Sequence, residues 1–233
     1  MTNPQLPLGL ALRESARFDS FFPGQNQEAV ASLQAAAEGA GESLVYIAAA
    51  AGLGKTHLLQ AACHTAGESG RSAGYLPLAE LRHAPAAVFD GLEQLELVCL
   101  DDVDAIAGEP QREHALFDLF NRLRDAGRTL LVTALQRPDA AGFGLPDLVS
   151  RLGWGVSYIL KPMAEADILA ALVYRAQGRG LELPGDTAQF LLRRFPRDLP
   201  TLFALFDTLD FASQVEQRRL TIPFVKSVLD GNA

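Results

Sequence analysis

The 233 residues have room for one sizeable domain, or for a domain with a small satellite. No apolar run approaches the roughly 20 residues of a membrane span. The net charge of −8 means that nucleic-acid binding would need a local basic surface. Only short basic groups occur, Arg193-Arg194 with Arg197 and Arg218-Arg219, and solvated helix faces explain them more simply. We therefore expect no membrane insertion and no strong direct binding to DNA.

Cysteine usage and the start of the chain indicate the compartment. Cys63 lies in a helical pattern and Cys99 in a strand pattern, so both are expected to be buried thiols rather than a disulfide. The N-terminus lacks the basic-then-apolar layout of a secretory signal. These features predict a cytoplasmic protein.

Residues 1–16 have the character of a tail. The segment Gln5-Leu6-Pro7-Leu8-Gly9-Leu10 places three leucines at alternate positions behind a glutamine. Its proline and glycine disfavour a helix, and an extended peptide with alternating apolar side chains can fill pockets on a partner. Composition alone leaves a second interpretation open, in which these leucines pack on the core of the chain itself.

A phosphate-binding loop is the strongest motif in the chain. An apolar run over 44–48 predicts a buried strand, and a helical pattern opens at Thr56. The residues between them follow the pattern G-x-x-x-x-G-K-[ST], except that Ala49 replaces the first glycine. Such a loop points backbone N–H groups at an anion, with Lys55 expected on the outer phosphates and Thr56 on Mg²⁺. The alternative is an ordinary small-residue turn.

Strands and helices alternate along the first two thirds of the chain. Strands are predicted over 44–48, 74–78, 95–100, 129–134 and 156–160, with helices over 26–37 and 113–124. This alternation predicts a mostly parallel sheet with helices on both faces and a ligand beyond the carboxyl ends of the strands. From 163 to 233 the apolar spacing is helical throughout, so a small all-α domain is predicted to follow.

Two carboxylates follow the third predicted strand. Asp101 is placed to hold Mg²⁺ through water, and Asp102 to orient an attacking water. A surface turn explains most such pairs, but the upstream loop favours the metal role. Thr133, at the end of the fourth strand, could present a hydroxyl to the same site, although threonine is common there for propensity reasons alone.

An arginine precedes the fifth predicted strand. Arg151 is placed to enter the nucleotide site of a neighbouring molecule as an arginine finger. The spacing equally allows a structural ion pair with Asp147.

In this order, the motifs resemble those of the AAA+ ATPases. Within that class the chain is similar to the bacterial replication initiator DnaA, and most similar to the Hda family of DnaA-related proteins that inactivate DnaA. The segments that carry the resemblance are 18–26 (FDSFFPGQN), 54–61 (GKTHLLQA), 116–121 (LFDLFN), 144–155 (GLPDLVSRLGWG) and 220–226 (LTIPFVK).

The resemblance implies an AAA+ three-layer α/β sandwich over 17–162 and a small all-α lid domain over 163–233. It implies a bound nucleoside di- or triphosphate, ADP or ATP, with Mg²⁺ at Thr56 and Asp101. Asp102, Thr133 and, in trans, Arg151 take the catalytic roles. The implied nucleotide contacts are Gly52, Leu53, Gly54, Lys55, Thr56, His57, Phe22 and Pro23.

The resemblance also implies partners. Gln5, Leu6, Leu8 and Leu10 match the family's peptide that binds the DNA polymerase sliding clamp, and Arg151 matches the arginine offered to DnaA. The implied function is negative regulation of replication initiation, through hydrolysis of the ATP held by DnaA. Self-association into a homo-oligomer is compatible with this class. The helix-turn-helix domain that follows the lid in the initiator has no counterpart here, so we expect that activity to be missing.

One further departure concerns hydrolysis by the chain itself. The lid arginine that contacts phosphate in the family aligns with Pro200, which lacks a donor. Arg197 is a candidate substitute. Because charge stabilisation dominates phosphoryl transfer, we expect weak or absent self-hydrolysis. Two alternative functions stay open: an autonomous ATPase resembling a helicase loader, and an adaptor that binds no nucleotide.

Overall fold

The computed structural model describes residues 12–195 and 199–231, which form five strands and eight α-helices. The strands are β1 (Leu44–Ala48), β2 (Ala73–Pro77), β3 (Leu97–Asp101), β4 (Thr129–Ala134) and β5 (Val156–Ile159). The helices are α1 (Gln27–Ala37), α2 (Lys55–Glu68), α3 (Pro110–Asp125), α4 (Pro146–Leu152), α5 (Glu165–Gly178), α6 (Gly185–Arg194), α7 (Leu199–Glu216) and α8 (Ile222–Leu229).

The strands form one parallel sheet in the order β2-β3-β4-β1-β5. Every residue of β1, β3 and β4 is buried, whereas the edge strand β5 alternates between half-buried and exposed residues. Helices cover both faces of a parallel sheet, so its inner strands are buried along their whole length. The prediction of a parallel α/β sheet from the alternating pattern is confirmed.

The side chains of β1 divide the core into two layers. Leu44, Tyr46 and Ala48 pack on one face of the sheet with α3 and α4. Val45 and Ile47 pack on the opposite face with α1 and α2. Successive strand residues point to opposite faces, so one apolar run serves both layers. Helices, sheet and helices thus form a three-layer sandwich.

Two local predictions differ from the structure. β3 was expected over 95–100, but Leu95 closes a 3₁₀ turn by donating its N–H to the Leu92 carbonyl, and the strand continues through Asp101. Asp101 is therefore the last residue of β3, paired with Pro77 of β2. Helix α4 was not predicted, because seven residues are too short for a clear helical period.

The chain forms two compact units. One contains residues up to Phe21 together with Asn26–Leu160, and the other contains Phe22–Gln25 and the residues from Lys161 onward. The second unit carries α5 to α8, as the helical spacing after residue 162 predicts. Its own core consists of residues from all four helices, among them Leu172, Leu191, Phe206 and Phe224. In the described ranges, none of the helices is both long and apolar enough to cross a membrane.

Gly155 generates a stability prediction. A Cβ built on Gly155 would lie 2.2 Å from the Leu44 carbonyl oxygen, which belongs to the main chain of β1. Because a backbone atom cannot move aside cheaply, we expect Gly155→Ala to lower the free energy of unfolding by about 1–3 kcal/mol. Urea denaturation measures this change. Gly67→Ala is the control, since a Cβ on Gly67 meets no atom within 4 Å. Equal stabilities of the two variants would contradict the prediction.

Candidate functional site

The backbone of the phosphate-binding loop changes direction at two glycines. Gly52 and Gly54 have φ of 81° and 90°, in the left-handed region that glycine tolerates best. A Cβ on Gly54 would also lie 2.6 Å from a ring carbon of Phe21. Ala49 needs no such freedom: in the described ranges only Asp102 and Gln217 combine a side chain with positive φ. The alanine at the first motif position is therefore compatible with the loop.

Ala49 instead continues the sheet and contacts Lys55. Its N–H donates to the Ala134 carbonyl at 3.0 Å. Its own carbonyl accepts a hydrogen bond from the Lys55 ammonium, also at 3.0 Å. Lys55 is 7% exposed, and its Nζ lies 3.6 Å from a carboxylate oxygen of Asp102. Lys55, the first residue of α2, thus places its ammonium group at the carboxyl ends of β1 and β3.

Asp101 is the centre of the site. Its carboxylate is almost fully buried and accepts hydrogen bonds from three hydroxyl groups. Thr56 Oγ1 and Tyr75 Oη donate to Oδ2 at 2.6 and 2.8 Å, and Thr133 Oγ1 donates to Oδ1. A buried carboxylate without such donors would be costly, so these contacts keep Asp101 compatible with its burial. They bring together residues of α2, β2, β3 and β4.

These residues fit a magnesium ion held with phosphate. Mg²⁺ binds through one or two carboxylates together with substrate phosphates and water. The Thr56 hydroxyl and the Asp101 carboxylate are hard oxygen donors that already lie 2.6 Å apart. With the loop beside them, Thr56 and Asp101 would hold the ion, which would neutralise phosphate charge there.

Asp102 lies beside Asp101 in a strained conformation. Its φ of 53° is unusual for a residue with a side chain. Its N–H donates to Thr133 Oγ1 at 3.1 Å. Burial, and next the Asp101 carboxylate, raise the pKa of Asp102 above its usual range, and the Lys55 ammonium offsets part of this shift. Asp102 is thus a carboxyl group whose charge is disfavoured, as is common for a functional carboxyl.

The other residues that the sequence predicts to contact the nucleotide lie in different parts of the structure. Leu53 packs against the core layer of α1 and α2. His57 Nε2 lies 2.9 Å from the Arg17 carbonyl oxygen, and its ring centroid lies 5.6 Å from that of Phe21. Phe22 and Pro23 belong to the second unit, where the Phe22 ring lies 6.2 Å from Tyr174.

Arg151 lies in the last turn of α4. Its guanidinium carbon is 4.0 Å from the centroid of the Trp154 ring and 6.0 Å from that of Phe117. In the part of the chain that the structure describes, Arg151 forms no ion pair, so the alternative pairing with Asp147 is not observed. An arginine stacked on an aromatic ring keeps its N–H donors available.

A buried glutamate fixes where α4 begins. Glu113 of α3 is 1% exposed and accepts backbone N–H donors from Gly108, Gly144 and Leu145 at 2.7, 3.0 and 2.8 Å. The last two donors immediately precede Pro146, the first residue of the helix. The position of Arg151 at the end of α4 therefore depends on a residue far from it in the sequence.

Some predicted residues lie outside the described ranges. These are the tail residues Gln5, Leu6, Leu8 and Leu10, and the lid candidate Arg197. Pro200 is the second residue of α7, a position in the first helical turn that proline tolerates.

Sequence reasoning missed two residues of the site region. Tyr75 was assigned to a strand without a role, and its contact with Asp101 depends on β2 lying beside β3. Trp154 has no role in the sequence prediction. Its place three residues after Arg151 is compatible with the contact but does not distinguish it from the pairing with Asp147.

Family models match both units. The model described as the bacterial DnaA ATPase domain matches residues 12–77, and the model of the Hda lid domain matches residues 165–229. Together these ranges span more than half of the chain. The chain is a DnaA-related, Hda-like AAA+ protein. The sandwich with its parallel sheet is accordingly the AAA+ α/β domain, and α5 to α8 form its lid domain.

Solved structures share this fold. Domain III of the replication initiation protein DnaA from Thermotoga maritima matches with a TM-score of 0.76 and 20% identity, over 95% of this chain and 98% of that one. AMPPCP-bound DnaA from Aquifex aeolicus gives 0.75 and 21%, over 85% and 66%. The RuvB Holliday junction branch migration motor of T. maritima gives 0.65 and 16%, over 92% and 73%.

The raised pKa of Asp102 predicts a pH-dependent effect in this AAA+ protein. Because the pKa is higher in the folded state, the contribution of Asp102 to stability is complete below its unfolded pKa, about 3.9, and is lost as pH rises through the folded value. Asp102→Asn removes the titration and keeps a side chain that tolerates positive φ. We expect this variant to be more stable than the wild type near pH 8, with the difference shrinking on acidification.

Denaturant unfolding between pH 4 and pH 8 measures this difference. The exposed Asp90→Asn substitution is the control and should show no such trend. A less stable Asp102→Asn protein at pH 8 would mean that the attraction to Lys55 outweighs burial and the Asp101 charge.

Proposed function

We propose that this protein is a nucleotide-bound negative regulator of replication initiation. In this proposal it binds the DNA polymerase sliding clamp and promotes hydrolysis of the ATP held by DnaA. The phosphate-binding loop holds ADP or ATP with Mg²⁺, and Arg151 completes the nucleotide site of DnaA in trans. The observation that carries the proposal is that Arg151, in a chain with an Hda-like lid, has aromatic rather than carboxylate neighbours.

The geometry of the loop supports nucleotide binding. The two glycines with positive φ, the N-terminus of α2 and the buried Lys55 ammonium together favour an anion. The DnaA structure from Aquifex aeolicus, with the same fold, is bound to AMPPCP. Among the described residues, the polar partners of the Lys55 ammonium are a carbonyl and a partly exposed carboxylate, so phosphate oxygens would be stronger partners for its charge.

Each residue of the site has a distinct role in this proposal. Lys55 neutralises phosphate charge, while Thr56 and Asp101 hold Mg²⁺. Thr133 fixes the Asp101 carboxylate and the Asp102 backbone together, since its hydroxyl contacts both. Burial raises the pKa of Asp102, so this carboxylate has the basicity needed to accept a proton from water. The proline in place of the lid arginine is the feature that supports a nucleotide that is held rather than turned over.

Lys55→Ala tests the nucleotide site. Each lost charge-assisted contact should weaken ADP binding by about 1.5–3 kcal/mol, which is roughly a 10- to 150-fold higher Kd. Isothermal titration calorimetry with ADP and Mg²⁺ measures the change. Lys226→Ala in the lid removes a lysine that lies over the Phe190 ring, and it should leave ADP affinity unchanged.

An unchanged affinity in the Lys55 variant would contradict the nucleotide site. Rapid steady-state hydrolysis of ATP by the isolated wild type would favour the autonomous ATPase instead.

The N-terminal tail provides the clamp-binding part of the proposed function. Gln5 provides a polar anchor and Leu6, Leu8 and Leu10 provide apolar side chains for the clamp, as in the family's clamp-binding peptide. Binding to a clamp on DNA would raise the local concentration of the regulator near the initiator without any basic surface of its own. This agrees with the net charge of −8.

Arg151→Ala tests the action in trans. A finger neutralises charge that develops in the transition state and accelerates phosphoryl transfer by roughly 10³–10⁵-fold. We therefore expect Arg151→Ala to abolish the stimulation while keeping ADP affinity and clamp binding. Arg151→Lys should restore only part of it, because the planar fork is lost. The measurement is single-turnover hydrolysis of ATP by DnaA, with clamp loaded on DNA.

The Gln5→Ala and Leu6→Ala double variant is the matched control for this assay. It should lose the dependence on clamp but regain stimulation at high protein concentration, since Arg151 is intact. Normal stimulation by the Arg151→Ala protein would remove the finger from the mechanism.

A further inference from the structure

An exposed aromatic ring supports Arg151. Trp154 is the one tryptophan of the chain and is 59% exposed, although its ring is large and apolar. The Arg151 guanidinium lies over it at 4.0 Å from the centroid. A cation over a tryptophan face is a favourable arrangement, and Arg–Trp pairs are among the best. The exposed Trp154 ring therefore has the Arg151 guanidinium as a partner on one face.

The ring is itself held in place. Phe120 of α3 meets it edge-on, with centroids 6.3 Å apart and an angle of 83° between the rings. The Arg124 guanidinium carbon lies 5.9 Å from the same ring. The Trp154 backbone N–H donates to the Arg151 carbonyl at 3.1 Å, and the main chain of Gly155 packs closely against Leu44 of β1. The Trp154 ring thus has a packing partner in α3, and its main chain is anchored on both sides.

Stacking and hydrogen bonding use different parts of a guanidinium. The contact with Trp154 uses the delocalised charge of the guanidinium, whereas hydrogen bonds to a phosphate use the N–H donors that lie in its plane. An unsupported arginine would lose rotamer freedom when it engages a phosphate. A stacked arginine has lost much of that freedom already, so less is lost when it meets the partner.

We propose that Trp154 is a positioning residue for Arg151, holding the guanidinium so that its N–H donors face the phosphates of a nucleotide bound by the partner. This inference rests on the proposed function of Arg151 in trans. Phe120 contacts the ring edge-on, and the stack is present before the partner binds. Trp154 would therefore act on the rate of hydrolysis rather than on the affinity between the two proteins.

The first test separates the rate from affinity. Single-turnover ATP hydrolysis by DnaA is measured against rising concentrations of wild type, Trp154→Ala and Trp154→Phe. We expect Trp154→Ala to lower the saturating rate about tenfold at a similar half-saturating concentration. Trp154→Phe keeps a flat ring and should stay within about threefold of the wild type.

Three results of this assay would overturn the inference. An unchanged saturating rate in Trp154→Ala would mean that Arg151 needs no support. A change confined to the half-saturating concentration would make Trp154 a docking residue. A faster reaction would mean that the stack withholds Arg151 from the partner.

The second test needs no partner and detects the stack directly. Trp154 is the only tryptophan, so quenching of its fluorescence by acrylamide reports access to this one ring. Arg151→Ala uncovers a face and should increase quenching. Arg137→Ala removes an arginine that pairs with Asp139 and should not. Equal quenching in wild type and Arg151→Ala would overturn the inference even if Trp154→Ala failed to fold.

Failure of the inference and failure of the proposed function give different results. If Arg151→Ala stimulates DnaA normally, the proposed function itself fails. If Arg151→Ala is inactive while Trp154→Ala matches the wild type, only the role of Trp154 fails.

Discussion

The buried Asp101 carboxylate holds the site together. It ends β3 in a position almost closed to water, and hydroxyl groups from α2, β2 and β4 donate to it. A carboxylate in such a place is tolerated only when its lone pairs are satisfied. The same contacts fix the first turn of α2 against the sheet. The direction in which the phosphate-binding loop presents its N–H groups therefore depends on this one acid.

The order of the strands explains why these residues meet. β3 lies between β2 and β4, and β4 lies beside β1. The carboxyl ends of parallel strands share one edge of the sheet, so the loop after β1, the two acids at the end of β3 and Thr133 of β4 converge there. Lys55 and Asp102 are then near enough to interact, although 3.6 Å and a partly exposed carboxylate make this a modest ion pair.

The same α/β domain carries a second group of residues to which we assign a function in the proposal, and different interactions hold it together. Among the described residues, the charged and ring contacts of Arg151 are with aromatic rings instead of carboxylates, and Glu113 fixes the start of α4 through the backbone N–H groups of Gly144 and Leu145. An ion pair would engage the donors of the guanidinium, whereas a stack leaves them available. The first group thus has features that favour an anion, whereas the second leaves the N–H donors of an arginine available.

The sequence by itself determined the parallel α/β sheet, the following all-α domain and the position of the phosphate-binding loop. These follow from apolar periodicity and from a local motif, both of which depend on neighbours along the chain. Only the tertiary structure decided that Ala49 needs no left-handed backbone, that Tyr75 binds Asp101, and that Arg151 stacks on Trp154 rather than pairing with Asp147. Each of these depends on which strands lie side by side or on where a short helix begins. Such contacts join residues that are distant in sequence or that compete at similar spacing, and local patterns cannot rank them.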